Sequence, residues 1–397
     1  MTQQTIVLIG PAYPYRGGNA LFMSHLYEAL APHFQVHFIN YTLLYPSLLF
    51  PGTTQFDQSR EMTKQIPNER LLSSVNPVSW WKTARRVREL KPDLVVFDWW
   101  NPFFGPSHRA VSTLLGRSLH DKILFITENV ISHEARFIDK FLTKLGLANA
   151  ASFLALSGQV ANDLKPFAKN LPVYRSELPV FGEFYAQTAH GISNEAAKAK
   201  FGFANDDDVI LFFGYIRKYK GLDVLLRAMP LIARTNPRVK LLVAGEFYDD
   251  PKPYYDLINE LGIATQVKIF DSFIPNEYVA EFYAASDVVM LPYRSATQSG
   301  ILGIAYGFDR PVIVTDVGGL AESVAHERTG FVVKPESPKA LAHAVQRFYE
   351  LRTKTDFSAN VRERARANAF TNIHKLFQDI VQAVNLRDVQ TNTKKEE

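Results

Sequence analysis

The sequence of 397 residues contains no cysteine. Disulfides, thiolate metal sites and a cysteine nucleophile are therefore excluded, and the composition suits a reducing cytoplasm. The chain also lacks any run of about 18 or more apolar residues, so no segment predicts a transmembrane helix. Its first residues, MTQQTIVLIGPAYP, have neither the basic start nor the long apolar stretch of a signal peptide. We therefore expect a cytoplasmic protein.

Neither sign of charge dominates the chain. It has 44 Lys and Arg against 40 Asp and Glu, a formal net charge of +4. So mild an excess suits an anionic small ligand, an anionic membrane surface or nucleic acid equally, so the net charge does not select a partner. No basic stripe is interleaved with aromatic residues across one face, so we expect no nucleic-acid partner. The acidic clusters at 205–208 and 248–250 lie at predicted turns and indicate solvated caps, so no metal site is expected.

Short apolar segments alternate with helical ones along the chain, a pattern typical of parallel α/β sheets. The pattern begins with a strand at 5–10 and restarts with a strand at 209–216, after a polar linker. We therefore predict an α/β fold of two Rossmann-like domains, 1–185 and 186–369. The amphipathic helix predicted over 370–386 would pack back on the first domain.

In such folds ligands bind at the carboxyl ends of the strands, and the loop after the first strand carries Arg16, Gly17 and Gly18. Gly17 and Gly18 precede a predicted helix, whose free N–H groups favour an anion or a close ligand. A tight turn explains the glycines equally well. The loop does not match the G-x-G-x-x-G pattern, so a dehydrogenase is not indicated.

A second loop repeats this arrangement between Gly214 and Gly221, with Arg217, Lys218 and Lys220 between them. Three cations beside the start of a helix can neutralise a diphosphate leaving group. The alternative is a solvated basic turn.

The segment SATQSGIL lies between a predicted strand and a helix that should begin near Ile301. The N–H groups of Ser299, Gly300 and Ile301 would be free donors, and the side chains of Thr297, Gln298 and Ser299 are neutral donors. This pattern predicts a phosphate site. The alternative is an ordinary helix cap made by Ser299 or Thr297.

These segments together resemble the GT-B nucleotide-sugar glycosyltransferases, family 4 of the retaining type, over nearly the whole chain. The motifs that carry the resemblance are PYRGG, GYIRKYKGLDVLLRAM, ASDVVMLPY, RPVIVTDVGGLAESV and ERTGFVVKP. It implies two domains facing a central cleft, with the donor on the second and the acceptor on the first. It also implies that neither metal nor cofactor is needed, and it assigns the family's lysine to Lys220 and the diphosphate loop to 297–301.

The chain departs from the family pattern at the donor side. Tyr215 stands where an arginine is usual, and Arg217 is the expected substitute. Two glutamates of many members are replaced by Ala296 and Ile304. A subgroup with the sequence ATQSG resembles this chain in lacking both.

A further departure follows the strand predicted at 122–130, where the family often has a histidine. This chain has Glu128 there, with His133 close behind. Both are candidates for contacting the acceptor or for holding the sugar near the bond that breaks. The alternatives are a capping or ion-paired glutamate and a histidine on a helix surface.

The resemblance implies transfer of a sugar from a nucleotide-sugar donor to a glycan, lipid-linked or small-molecule acceptor, in the synthesis of cell-surface polysaccharide or glycoconjugates. A non-catalytic nucleotide-sugar-binding subunit and a sugar-nucleotide epimerase remain alternatives.

The helix predicted over 76–92 mixes tryptophan with arginine and could make a peripheral membrane contact. We favour a helix that covers the sheet, with Trp81, Ala84 and Val87 facing inward.

Overall fold

The computed structural model describes residues 3–50, 52–130, 137–180, 184 and 192–396. These residues divide into two compact units. Unit 1 comprises Met1–Gln58, Thr63–Glu177 and Phe370–Glu397, and unit 2 comprises Ser59–Met62 and Leu178–Ala369.

Unit 1 contains a seven-stranded sheet of order β3-β2-β1-β4-β5-β6-β7 in which every pair is parallel. The strands are β1 (Thr5–Ile9), β2 (Gln35–Leu43), β3 (Glu69–Ser73), β4 (Leu94–Trp99), β5 (Ile123–Thr127), β6 (Ser152–Ala155) and β7 (Val173–Arg175). The helices are α1 (Gly18–Leu30), α2 (Pro77–Leu90), α3 (Gly105–Leu114), α4 (Arg117–His120), α5 (Phe137–Gly146) and α6 (Gly158–Ala168). Strands β4, β5 and β6 are buried along their whole length, which explains their nearly continuous apolar sequences.

Unit 2 contains a six-stranded parallel sheet of order β10-β9-β8-β11-β12-β13. Its strands are β8 (Asp208–Phe213), β9 (Val239–Ala244), β10 (Val267–Phe270), β11 (Val288–Leu291), β12 (Val312–Thr315) and β13 (Gly330–Val333). Its helices are α7 (Asn194–Lys200), α8 (Leu222–Thr235), α9 (Lys252–Glu260), α10 (Asn276–Ala285), α11 (Gly300–Gly307), α12 (Pro338–Leu351) and α13 (Phe357–Ala367).

The prediction of two Rossmann-like units is confirmed by these two sheets. The sequence did not predict β3 or β13 as strands. Both lie at a sheet edge, where a strand is short and only partly covered, so its apolar pattern is weak.

The chain passes from unit 1 to unit 2 after Glu177, before the predicted boundary at 185/186. The physical reason is a pair of hydrogen bonds to Asn368. The N–H of Val180 donates to the Asn368 carbonyl (3.1 Å), and the Asn368 side chain donates to the Leu178 carbonyl (2.9 Å).

The last helix, α14 (Ile373–Glu396), belongs to unit 1 and follows a 3-10 turn at Phe370–Asn372. The Phe370 ring lies 5.3 Å from the His25 ring of α1, and the rings of His33 and His374 stack 3.9 Å apart. The end of the chain therefore packs on α1.

One detail of α2 was predicted wrongly. Ala84 and Val87 face inward as expected, but Trp81 is 47% exposed. Trp80 turns inward instead, because its indole N–H donates to the Ser73 carbonyl at the end of β3 (2.6 Å). Within the described ranges, no helix is long and apolar enough to cross a membrane.

Candidate functional site

The centre of the candidate site in unit 2 is Gly214, the residue that follows β8. A Cβ atom placed there would lie 2.9 Å from Ile301 Cδ1 and 3.3 Å from Lys220 Nζ. Gly214 also has a φ of +94°, which disfavours any larger residue. Because Gly214 has no side chain, Lys220 and the start of α11 can both pack against it.

Lys220 lies at the end of a short 3-10 turn, Lys218–Lys220, and its side chain is buried. Its ammonium nitrogen lies 5.6 Å from the centre of the Tyr293 ring. Burial, and secondarily the positive charge of Arg217, lower the pKa of Lys220 to about 7. Without an anion opposite it, the side chain is therefore partly neutral at neutral pH.

Arg217, the second predicted cation, is half-buried and stacks on an aromatic side chain. Its guanidinium carbon lies 5.0 Å from the centre of the Tyr248 ring, and that ring packs against Tyr215 with 4.6 Å between centroids. Tyr215, which replaces the usual arginine, therefore helps to build the surface on which Arg217 rests. The stacking restricts the guanidinium group without neutralising it.

Arg294 holds the Lys218–Lys220 turn in place, and sequence reasoning missed this residue. Its guanidinium group binds both carboxylate oxygens of Asp223 (2.8 and 2.7 Å) and donates to the Lys218 carbonyl (2.8 Å). Its backbone N–H donates to the Tyr219 carbonyl (2.7 Å). The only available signal was an arginine directly after the strand in the sequence MLPYR.

The predicted phosphate loop lies at the start of α11, which begins at Gly300 with Ser299 in the N-cap position. Among the described residues no side chain caps this helix, so the predicted alternative of a Ser299 or Thr297 cap is wrong. The Ser299 hydroxyl lies 3.3 Å from the Tyr293 hydroxyl instead. The first N–H groups of α11 thus keep their capacity to bind an anion.

The loop that carries Thr297 and Gln298 is held by the glycine pair after β12. A Cβ atom on Gly318 would lie 1.5 Å from the Ala296 carbonyl oxygen, and the N–H of Gly319 donates to the Thr297 carbonyl (3.1 Å). Thr297 is buried, and no described group donates to the buried Oε1 atom of Gln298. The small residues in both loops let the two backbones approach this closely.

Unit 2 therefore brings together Arg217, Lys220 and the start of α11 around Gly214. A buried cation, an uncapped helix start and neutral hydroxyl groups form a site suited to a phosphate-bearing ligand. In the part of the chain that the structure describes, no three His, Asp or Glu side chains are arranged to hold a metal ion.

Unit 1 carries a pair of buried carboxyl groups at the carboxyl ends of β4 and β5. Asp98 is fully buried and no described residue donates to either of its oxygens. The N–H of Glu128 donates to the Trp99 carbonyl (3.0 Å), while the Glu128 Oε1 atom is buried without a described donor. Asp98 was missed by sequence reasoning because it reads as one polar residue inside an apolar strand.

Burial raises the pKa of both carboxyl groups. For Asp98 the negative charge of Glu128 adds to this effect. Burial raises the pKa of Glu128 to about 8, although the nearby Asn19 amide lowers it in part. Glu128 is therefore largely protonated at neutral pH and can donate a hydrogen bond, and burial favours the neutral form of Asp98 as well.

The predicted N-terminal loop lies beside these carboxyl groups. Gly17 has a φ of +114° and precedes α1, which begins at Gly18 and has no side-chain cap from any described residue. A Cβ atom on Gly17 or Gly18 would meet nothing within 4 Å. Arg16 is buried, with its guanidinium carbon 5.6 Å from the centre of the Phe50 ring. His133 lies outside the described residues.

Residues 193–369 match the family model described as "Glycosyl transferases group 1". A protein of Methanocaldococcus jannaschii named as an uncharacterized glycosyltransferase is 35% identical over 148 residues, 37% of each chain. A D-inositol 3-phosphate glycosyltransferase of Mycobacteroides abscessus is 34% identical over 157 residues, which cover 38% of this chain and 34% of that protein. The chain thus spans about a third of the length of the curated relatives it matches.

Solved structures match nearly the whole chain. Sucrose-phosphate synthase from Thermosynechococcus elongatus has a TM-score of 0.70 at 20% identity and covers 99% of each chain. Anabaena HepE in complex with UDP has a TM-score of 0.71 at 17% identity, covering 96% of this chain and 100% of that one. The fold is GT-B. The group 1 match lies within unit 2, the unit of this GT-B protein that carries Lys220 and the phosphate loop.

Proposed function

We propose that the protein is a glycosyltransferase that moves a sugar from a nucleotide-sugar donor to a glycan, lipid-linked or small-molecule acceptor, with retention, in cell-surface polysaccharide or glycoconjugate synthesis. The observation that supports this most is the position of Lys220. A buried cation lies against Gly214 and Ile301, beside a helix start that no described side chain caps. The group 1 match over this unit and the GT-B fold support the same activity.

The proposed reaction places negative charge where these donors are. When the bond between the anomeric carbon and the diphosphate oxygen breaks, charge develops on the departing diphosphate. Lys220, Arg217 and the N–H groups at 299–301 would stabilise that charge, so the chain's own cations take the place of a metal. The acceptor oxygen forms the new bond to the anomeric carbon, and its proton passes to the diphosphate oxygen.

Binding of the donor should favour the protonated form of Lys220. Its pKa is about 7 in the free protein, and a diphosphate beside it would raise that value, because an opposite charge favours the protonated amine. Donor binding should therefore take up a proton from solution near neutral pH.

The buried carboxyl groups of unit 1 suit the acceptor side of this proposal. Protonated Glu128 can donate a hydrogen bond to a sugar hydroxyl group, and such donation needs no counter-charge. Arg16 and the uncapped start of α1 would add further donors.

The experiment is nucleotide release from a panel of nucleotide sugars, measured with and without candidate acceptors. Arg217→Ala and Lys220→Ala should each lower turnover by about 100-fold or more while the fold is kept. Lys218→Ala is the matched control, because Lys218 lies in the same turn but is exposed. Wild-type turnover in both test variants would contradict the assignment, and the anomeric configuration of the product tests retention.

A second candidate, a non-catalytic nucleotide-sugar-binding subunit, is favoured by one observation. The positions of the two usual glutamates are occupied by Ala296 and Ile304, both buried and apolar. Donor binding without nucleotide release would support this candidate. Interconversion of the sugar without transfer would support the epimerase instead.

We propose a cytoplasmic location for this activity, with which the absence of cysteine is compatible. Fractionation of cells that express the full chain tests the location.

A further inference from the structure

The helix α5 of unit 1 faces solvent with its largest apolar side chains. Phe137, Ile138 and Phe141 are 91%, 58% and 60% exposed. Phe137 and Phe141 are four residues apart and therefore lie on one stripe of the helix, which continues at Lys144. Surface helices of globular proteins normally place such residues toward the core.

The inner side of α5 is built from its small residues. A Cβ atom on Gly146 would lie 2.3 Å from the Trp99 ring, and a Cβ atom on Gly105 of α3 would lie 2.4 Å from the Leu142 carbonyl oxygen. The helix is thus packed as closely as its backbone allows. The outward direction of the phenylalanines is therefore fixed by tight packing on the other side.

Helices α2, α3 and α5 lie next to one another on one side of the sheet. The connections through α2, α3 and α5 all run toward β7, so right-handed crossovers place them on one face, and α2 packs on α3, which packs on α5. On α2, Val78 (61%) and Trp81 (47%) are also exposed. We call the outer side of α2, α3 and α5 the apolar-basic face.

Positive charge is concentrated on this face. Its three helices carry seven Lys and Arg and two Asp and Glu, whereas the whole chain has a net charge of only +4. The basic residues are Lys82, Arg85, Arg86, Arg88, Arg109, Lys140 and Lys144, and the acidic residues are Glu89 and Asp139. Glu89 is already paired with Arg85 (2.9 Å), and Arg86 is paired with Glu69 of β3 (2.9 Å).

We propose that the apolar-basic face docks on an anionic lipid surface, with the phenylalanines of α5 inserted among the lipid headgroups. Exposed aromatic side chains bordered by lysines match the two parts of such a surface, its apolar boundary and its negative charge. A second copy of the chain fits less well. A symmetric contact through α5 would place Lys140 and Lys144 near their own copies.

The docking has a consequence that rests on the proposed function. Helix α5 begins at the carboxyl edge of the sheet, the edge that carries Glu128, because it follows β5 in a parallel sheet. A membrane on this face would present headgroups at the edge that carries the proposed acceptor carboxyl groups. The acceptor class it favours is lipid-linked. The docking itself does not depend on transferase activity.

The test is flotation of the full chain with vesicles of phosphatidylcholine alone and of equal parts phosphatidylcholine and phosphatidylglycerol. We expect binding to the anionic vesicles only, and weaker binding as salt is raised. The double variant Lys140→Gln/Lys144→Gln should bind about 30-fold more weakly. Phe137→Ser/Phe141→Ser should lose at least about 10-fold in binding.

The matched control is Lys375→Gln/Leu386→Ser on α14, which removes one exposed charge and one exposed apolar side chain from the helix that packs on α1. It should bind as the wild type does. Thermal unfolding of each variant separates lost docking from lost folding.

Three results would overturn the proposal. They are a wild-type chain that stays unbound with anionic vesicles at low salt, equal binding by the phenylalanine variant, and a solution dimer that this variant abolishes. Because flotation needs no donor, its failure would leave the proposed transferase activity untouched.

Discussion

Replacement of Lys220 by methionine should raise stability and abolish function at the same time. The side chain is buried, and its pKa falls from 10.5 to about 7. At about 1.4 kcal/mol per pH unit, holding the charge in this site costs about 5 kcal/mol. Methionine has a similar length and no charge, so the free energy of unfolding of Lys220→Met should rise by at least about 1 kcal/mol at pH 7.

The lowered pKa of Lys220 also predicts how the free energy of unfolding changes with pH. Between about pH 7 and 10.5 the unfolded lysine is protonated while the folded one is neutral, so the unfolded state binds more protons. The free energy of unfolding of the wild type should therefore rise with pH across this window. In Lys220→Met this rise should be absent, as measured by urea unfolding at pH 7, 8 and 9.

The same two changes, Lys220→Met and a higher pH, should lower activity although they raise stability. Loss of one preorganised donor to the departing diphosphate lowers kcat by about 100-fold or more. In the wild type, kcat/KM should fall as pH rises through about 7, because the free protein loses the Lys220 proton. Calorimetric titration with a nucleoside diphosphate in two buffers should detect proton uptake by the wild type and none by Lys220→Met. Lower stability of this variant would show that Lys220 is structural, and unchanged turnover would refute its role.

Three further predictions concern the residues around the two sites. Glu128→Gln should remove a fall in stability between about pH 4.5 and 8, seen by urea unfolding, because the folded carboxyl group keeps its proton up to about pH 8 while the unfolded one does not. Gly318→Ala should lose at least about 2 kcal/mol of stability and most nucleotide binding, because a Cβ atom would lie 1.5 Å from the Ala296 carbonyl oxygen. Arg294→Lys should lower turnover by about 10-fold, because lysine cannot bind both Asp223 oxygens and the Lys218 turn together.

Each of these three changes has a matched control. Glu89→Gln removes an exposed carboxyl group and should leave the pH dependence of unfolding unchanged. Gly262→Ala shares a positive φ (+66°) but meets no atom within 4 Å, so it should cost only about 1 kcal/mol. Arg362→Lys also breaks a two-bond contact, to Asp309, away from the Lys218 turn. Equal effects of test and control variants would contradict the corresponding argument.

Much of the fold could be predicted because parallel strands that are buried on both faces have nearly continuous apolar sequences. The strands β1, β2, β4, β5, β6, β8, β9, β10, β11 and β12 were predicted from such apolar segments. Edge strands β3 and β13 were missed, since a half-covered strand needs no such run, whereas the edge strand β10 was found from its apolar residues. In α2 the sequence predicted a helix that covers the sheet. Either of its adjacent tryptophans, Trp80 or Trp81, fits the spacing of the inward-facing residues almost equally well. The hydrogen bond from Trp80 to Ser73 decided which one turns inward.

The sequence alone determined the glycine turns, the cations at 217 and 220 and the uncharged loop at 297–301, because each is a local signature of backbone approach or of charge. Only the tertiary structure decided what these segments form together. Lys220 and Ile301 meet because both lie against Gly214, and Arg294 reaches back to Asp223 from a different strand end. Burial likewise exists only after folding. The lowered pKa of Lys220, the raised pKa values of Asp98 and Glu128, and the outward phenylalanines of α5 follow from which atoms surround each group, and distant parts of the chain supply those atoms.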